Sequence, residues 1–456
     1  MRKSLILTIL LLIVSVCSLC YSHAWVDRQR DKVTIDETIL CGNKGAAEGI
    51  TIDYKTHYDY RLFWKTHYLI SKTPAATTDF TFSQKQRRHN NNMDTSGIRF
   101  FTPLNGGQNT SSSGSIDLSN EIAPVKDVAS RTESGETHTE TVYLKDYYDF
   151  YPIDTAFNIT QRLADNSDTR KFFTDYFHIP IYSNHKVTIS INKNSNGDVY
   201  RIELSDFENS GVNFNTVSAM TESSCYFTLS CTTLDGKSLD TANLSNNYGI
   251  FQIKLQKDTI NQPLSKEDIK MVFAIKPAQS KVVSLQLNTD KSKLLLVTFE
   301  DGDYMLTVID INTMKAEQKL KILSVENEYT LRDLYIYKDF IVLVNDDGRL
   351  ALLSLDEENR YRLQFVADMN ENRNLKDAFN AFYANLAMDY NGERLAVAAC
   401  TNTYDTSKNP NLVYLSIFDK AGLLYAGRYA YSLDRSIPNY SLACMPLDDT
   451  PLVVSW

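Results

Sequence analysis

The sequence predicts an all-β fold, on three observations. Across 456 residues, 27 Tyr and 21 Phe stand against only 17 Gly, and flat amphipathic rings suit a half-buried pleated surface. Hydrophobic residues at 43% and charged residues at 23% supply a sizeable core and exclude a disordered chain. Short apolar runs separated by polar turn residues recur through the C-terminal half at a nearly constant spacing, which is the signature of a repeat architecture.

Three segments carry that repeat. Val282 to Leu287 leads through Asn288–Lys293 to Leu294–Val297; Leu334 to Tyr337 leads through Lys338-Asp339 to Ile341–Val344; Leu386 to Asp389 leads through Asn391-Gly392 to Leu395–Ala398. A third strand follows in two of them, Leu306 to Ile311 and Leu412 to Phe418. Units of three or four antiparallel strands at roughly 40 to 50 residues have the period of a β-propeller blade. Strand patterns recur earlier at Gly49–Tyr54 with Leu62–Ile70, Val142–Tyr151, Lys186–Asn192 with Val199–Leu204, and Cys225–Cys231 with Tyr248–Leu255.

Residues 72 to 136 are rich in Ser, Thr, Asn and Gly and show little periodicity, so they read as a long irregular insertion. The remaining length holds about seven blades at about 50 residues each, and six or eight also fit. Short helices are expected near Asp168–Phe177, where Phe173, Tyr176 and Phe177 share a helical face, and near Leu375–Tyr383.

Leu386 to Cys400, LAMDYNGERLAVAAC, and Leu306 to Leu320, LTVIDINTMKAEQKL, resemble the second and third blade strands of the WD40-like and YVTN-like β-propeller superfamily. The likeness spans about residues 280 to 430 and includes neither a Trp-Asp nor a Gly-His pair. It implies a fold and a tendency to bind partners, and no catalytic residues.

Arg2 and Lys3 precede an apolar run from Leu5 to Val16, and Ser22-His23-Ala24 places small residues where a signal peptidase reads. Residues 1–24 are therefore expected to be a signal peptide ahead of a single propeller domain, 25–456. The rival reading is an uncleaved anchor, because Leu5–Cys20 falls just short of the roughly 17 to 25 residues of a spanning helix. The protein is expected to be secreted or extracytoplasmic, and membrane-bound only if that segment is retained. A formal net charge of −9 repels phosphate backbones and disfavours nucleic acid as a partner.

Beyond the leader stand Cys41, Cys225, Cys231, Cys400 and Cys444, an odd set without framework spacing. Cys225 and Cys231 on one strand would lie roughly 20 Å apart, against the about 5.5 Å of a disulfide, which predicts two buried free thiols. Asn192 to Glu203 has the spacing of a calcium loop, but Asn replaces the early carboxylates, and alternation on both sides makes Asn196-Gly197 a hairpin turn. The acidic clusters Glu300–Asp303 and Asp346–Gly348 also sit where hairpins turn.

Lys55-Thr56-His57-Tyr58 recurs as Lys65-Thr66-His67-Tyr68 around Trp64, and Tyr147 and Tyr148 belong to a second aromatic cluster. Tyr58, Trp64, Tyr68, Tyr147 and Tyr148 are the candidate binding residues: aromatic platforms for a sugar ring or a side chain, or strand residues packed on a neighbour. No HExxH pair or GxSxG elbow occurs, and no catalytic residue, metal site or cofactor is assigned. The expected function is a non-catalytic binding or scaffold module for a protein or glycan partner. The alternative is a propeller enzyme acting on carbohydrate or peptide with two carboxylates in a central funnel.

Overall fold

The computed structural model describes residues 2–28, 34–58, 62–82, 97–105, 108–157, 167–206, 210–234, 249–255, 265–275, 280–325, 331–369, 385–400, 412–432 and 452–456. The chain divides into two compact units, residues 1–91 with 328–456, and residues 92–327.

Helix α1 (Arg2–Asp27) opens the first unit. Its Leu5–Ala24 stretch has a mean hydropathy of 2.5 and no burial, long and apolar enough to cross a membrane. Strands β1 (Thr34–Gly42), β2 (Thr51–Tyr58), β3 (Leu62–Leu69) and β4 (Ala75–Phe82) follow. The second unit holds β5 (Ile98–Phe101), β6 (Gln108–Ser111), helix α2 (Ala123–Arg131), β7 (Thr137–Tyr143), β8 (Asp154–Phe157), helix α3 (Ser167–Phe177), β9 (Lys186–Lys193) and β10 (Val199–Asp206). Two regular meanders complete it: β11 (Val212–Met220), β12 (Ser224–Thr233), β13 (Gly249–Lys254), β14 (Ile269–Ala274); then β15 (Lys281–Leu287), β16 (Lys293–Glu300), β17 (Asp303–Asp310), β18 (Ala316–Ser324). The chain re-enters the first unit with β19 (Leu331–Ile336), β20 (Phe340–Asn345), β21 (Arg349–Leu355), β22 (Tyr361–Asp368), then β23 (Asn385–Tyr390), β24 (Leu395–Cys400), β25 (Leu412–Asp419), β26 (Gly422–Ser432), and last β27 (Leu452–Ser455).

Hydrogen bonding sorts these strands, among the described residues, into β27-β2-β3-β4, β6-β10-β9-β7, β11 to β14, β15 to β18, β19 to β22, the five-stranded β1-β26-β25-β24-β23, and the small pair β5-β8. All ladders are antiparallel. Within the first unit, Ile52, Tyr54 and Tyr68 of one sheet pack on Val413, Leu415 and Tyr429 of the five-stranded sheet. The opposite face of that sheet sets Leu395, Val397 and Phe418 against Val342, Leu350 and Leu352. In the second unit Val187, Ile189 and Ile202 meet Phe227 and Leu229, and Tyr226 and Ile250 meet Leu294 and Leu296. Four-stranded meanders stacked face to face are β-propeller blades.

The turns follow local chemistry. Asp301 and Gly302 both take positive φ, +48° and +89°, as the tight β16–β17 hairpin requires. Between β9 and β10, Asn194 Oδ1 accepts the backbone N–H groups of Asn196 and Asp198, each at 2.9 Å. Asn192 Nδ2 donates to Thr137 Oγ1 at 2.9 Å and Glu203 pairs with Arg201, so the calcium-like spacing is a hairpin whose oxygens do not converge.

Several expectations are refined. The described part of 72–136 contributes β4 to β6 and α2. The strand expected over Val142–Tyr151 ends at Tyr143, because a 3-10 turn over Leu144–Asp146 breaks it. Helix α3 stands where one was expected, whereas Leu375–Tyr383 lies outside the described residues. The strands nearest the chain ends do not pair with each other: β27 pairs with β2 and β1 with β26. The reason is side-chain pattern: Leu452 and Val454 are buried with Ile52 and Tyr54, while β1 alternates exposed and half-buried residues along most of its length and suits an edge.

Candidate functional site

The repeated Lys-Thr-His-Tyr motif falls on the β2–β3 hairpin, where Asp53 opposes His67, Tyr54 opposes Thr66 and Lys55 opposes Lys65. Because side chains alternate across a strand, Tyr54, Thr66 and Tyr68 turn inward and are buried, while Asp53, Lys55, Lys65 and His67 share the outward face. There, His67 Nδ1 lies 2.7 Å from Asp53 Oδ1, and Lys65 Nζ lies 2.6 Å from Asp53 Oδ2. Burial pushes the Asp53 carboxyl up, but hydrogen bonds from Lys65 and His67 outweigh it and hold the group below its usual range. The outward face thus presents a hydrogen-bonded Asp–Lys–His cluster on an open sheet.

Tyr58 opposes Leu62 and Trp64 opposes Thr56 in the backbone register; their side chains lie outside the described residues. Tyr68 is 4% exposed, with its ring 5.5 Å from that of Tyr429, which places it in the core and off any outward platform. Burial raises its hydroxyl to about 12.

Behind that face lies a polar cluster that sequence reasoning missed. Tyr425 donates to Glu37 Oε1 at 3.0 Å, its hydroxyl is 2.8 Å from that of Tyr429, and Lys44 pairs with Glu37. Burial pushes the Tyr425 and Tyr429 hydroxyls well up. A Cβ at Gly427 would lie 2.2 Å from the Tyr425 hydroxyl, so any larger residue there would force the buried Tyr425 ring to move. A Tyr-x-Gly-x-Tyr spacing on β26 was the available signal.

In the second unit the turn at Leu144–Asp146 delivers Tyr147 and Tyr148 to helix α2. Tyr147 donates to Asp127 Oδ2 at 2.6 Å, and the Ala123 N–H donates to the Tyr148 hydroxyl at 2.8 Å, satisfying a donor at the helix start that would otherwise be orphaned. Arg131 bridges Asp127, at 2.8 Å, and Glu140, and His138 Nε2 is 3.3 Å from Glu140 Oε2. Hydrogen bonds from Tyr147 and Arg131 pull Asp127 down, and Arg131 does the same to Glu140. Burial and the bond to Asp127 push Tyr147 up to about 12. Both tyrosines therefore fasten α2 to its sheet. Among the described residues, no group of three His, Cys, Asp or Glu side chains forms a metal-sized cluster.

The blades of this chain decide its fold class. It is a β-propeller. No family model and no curated protein matches the sequence. Among solved structures, the chain is similar to one from a mitotic checkpoint complex (9% identity, 46% of this chain and 48% of that one, TM-score 0.25). It is also similar to the Cps50 (Swd1) β-propeller domain of Myceliophteria thermophila (14%, 54% and 70%, TM-score 0.25) and to a prolyl endopeptidase (10%, 84% and 42%, TM-score 0.25). The propeller thus spans less than half of the checkpoint and endopeptidase chains it matches.

Proposed function

We propose that this propeller is an exported, non-catalytic binding or scaffold module for a protein or glycan partner, with residues 1–24 as its export segment and 25–456 as one domain. The observation that carries the reading is the outward face of β2 and β3, where Lys65 and His67, each about half exposed, both engage Asp53. Asp53, Asp127, Glu140, Glu300 and Asp310 each sit in a hydrogen-bonded ion pair that holds the carboxyl below its usual range. None of these five therefore has the raised pKa that the general acid of carbohydrate cleavage needs. The outward face of β2 and β3, with paired charges on an open sheet, has the polar character of an interface rim. The experiment is a glycan array and a pull-down with residues 25–456, each repeated with Lys65→Glu/His67→Ala. Capture lost in that variant at unchanged melting temperature supports the reading; turnover of a glycan or peptide by the purified chain defeats it.

A further inference from the structure

Strand β1 is supernumerary. Strands β23 to β26 already form a four-stranded meander like β11–β14, β15–β18 and β19–β22, and β1 adds a fifth strand along the outer edge of β26. Its register runs from Thr34 opposite Ser432 to Gly42 opposite Tyr425, with one irregularity between Ile39 and Cys41.

The seat is specific at two places. The fully buried Tyr425 donates to Glu37 Oε1 at 3.0 Å. Gly42 has φ +76°, and a Cβ there would lie 2.0 Å from the Leu424 carbonyl oxygen, so the strand must end in glycine. Elsewhere the ladder is reinforced by half-buried Ile35, Leu40 and Cys41, which pack against the cores on either side of the sheet, while Ile39 is 51% exposed and Arg428 donates to Thr38 Oγ1 at 3.3 Å. Main-chain ladder bonds with a few side-chain determinants are how an exposed sheet edge takes up an extended peptide.

We infer that the β26 edge is a strand-accepting site, filled here by the chain's own β1, for an extended partner segment carrying Glu with Gly five residues later. The site is separate from the outward face of β2 and β3, and the inference does not depend on that face binding anything.

The probe is a fluorescent peptide of residues 33–43 with Cys41→Ser. In the full chain carrying Glu37→Gln, the tethered competitor loses its carboxylate, and the peptide is expected to bind at least tenfold more tightly than to the unmodified chain. A peptide with Glu37→Gln should bind at least tenfold more weakly, and adding Tyr425→Phe to the chain should erase the difference between the two peptides. A chain with Thr38→Cys and Arg428→Cys, an opposed pair, should take up no peptide when oxidised and recover uptake on reduction, which covers the case in which Glu37→Gln fails to fold. Equal binding of the two peptides, or uptake by the oxidised chain, would overturn the site. Dimerisation of the Glu37→Gln chain without peptide binding would assign the edge to a second copy and overturn the partner.

Discussion

The Tyr425 hydroxyl and the Glu37 carboxylate meet at 3.0 Å across 388 residues of sequence. The bond joins the first strand of the chain to the last blade strand before β27. A hydrogen bond to a charged acceptor contributes about 1.5 to 3 kcal/mol, so Tyr425→Phe should lower stability by about that amount. Denaturant titration checks this through a lower midpoint at unchanged slope. An unchanged midpoint would mean that the carboxylate does not engage the hydroxyl in solution.

Deleting Leu452 to Trp456 removes one of the two ladder partners of β2. Leu452 and Val454 are buried, and the Trp456 backbone N–H donates to Asp389 Oδ2 at 2.9 Å. Each large apolar side chain contributes roughly 1.5 to 3 kcal/mol, so a loss of about 3 to 6 kcal/mol is expected, read as a large drop in melting temperature. Melting that does not change would rule out the β27–β2 ladder.

Asp310 supplies a pH test. Hydrogen bonds from Lys293 and Thr313 lower its carboxyl from 3.8 to about 2. A depressed carboxylate contributes stability above its unfolded pKa and loses it as pH falls through the folded value. The stabilisation should therefore be intact above about pH 4 and fade toward pH 2. Carboxyl titration by NMR should place the Asp310 transition near the bottom of that window, and Asp310→Asn should flatten the acid limb there. A transition near 4 would contradict the Lys293 pairing.

Cys225 and Cys231 are buried and free, and burial pushes both thiols up to about 12. Thiol reagents should label them only on unfolding. Rapid labelling of the native protein, or a 225–231 bridge by mass spectrometry, would contradict their placement in β12.

The regular blades were legible because their signals are local. Alternation and turn residues marked β15–β16, β19–β20 and β23–β24 to within three residues at each end, since each hairpin is specified by its own sequence. Helix α2 was not legible. It has nine residues, and its N-cap Ile122 makes no side-chain capping bond, so Pro124 near its start was the only signal. The anchoring bonds of Tyr147 and Tyr148 were not legible for the same reason, as their partners Asp127 and Ala123 lie on that helix. The Lys-Thr-His-Tyr repeat was visible, but its inward and outward sides were not: period two fixes which residues share a face, and only packing against Tyr429 decides which face is buried.

The decisive measurement for a binding role is partner capture by residues 25–456 beside the Lys65→Glu/His67→Ala variant, matched for melting temperature. Retention of a protein or glycan by the unmodified chain and its loss from the variant is the expected result. Equal capture by both, or catalytic turnover of the ligand, would contradict it.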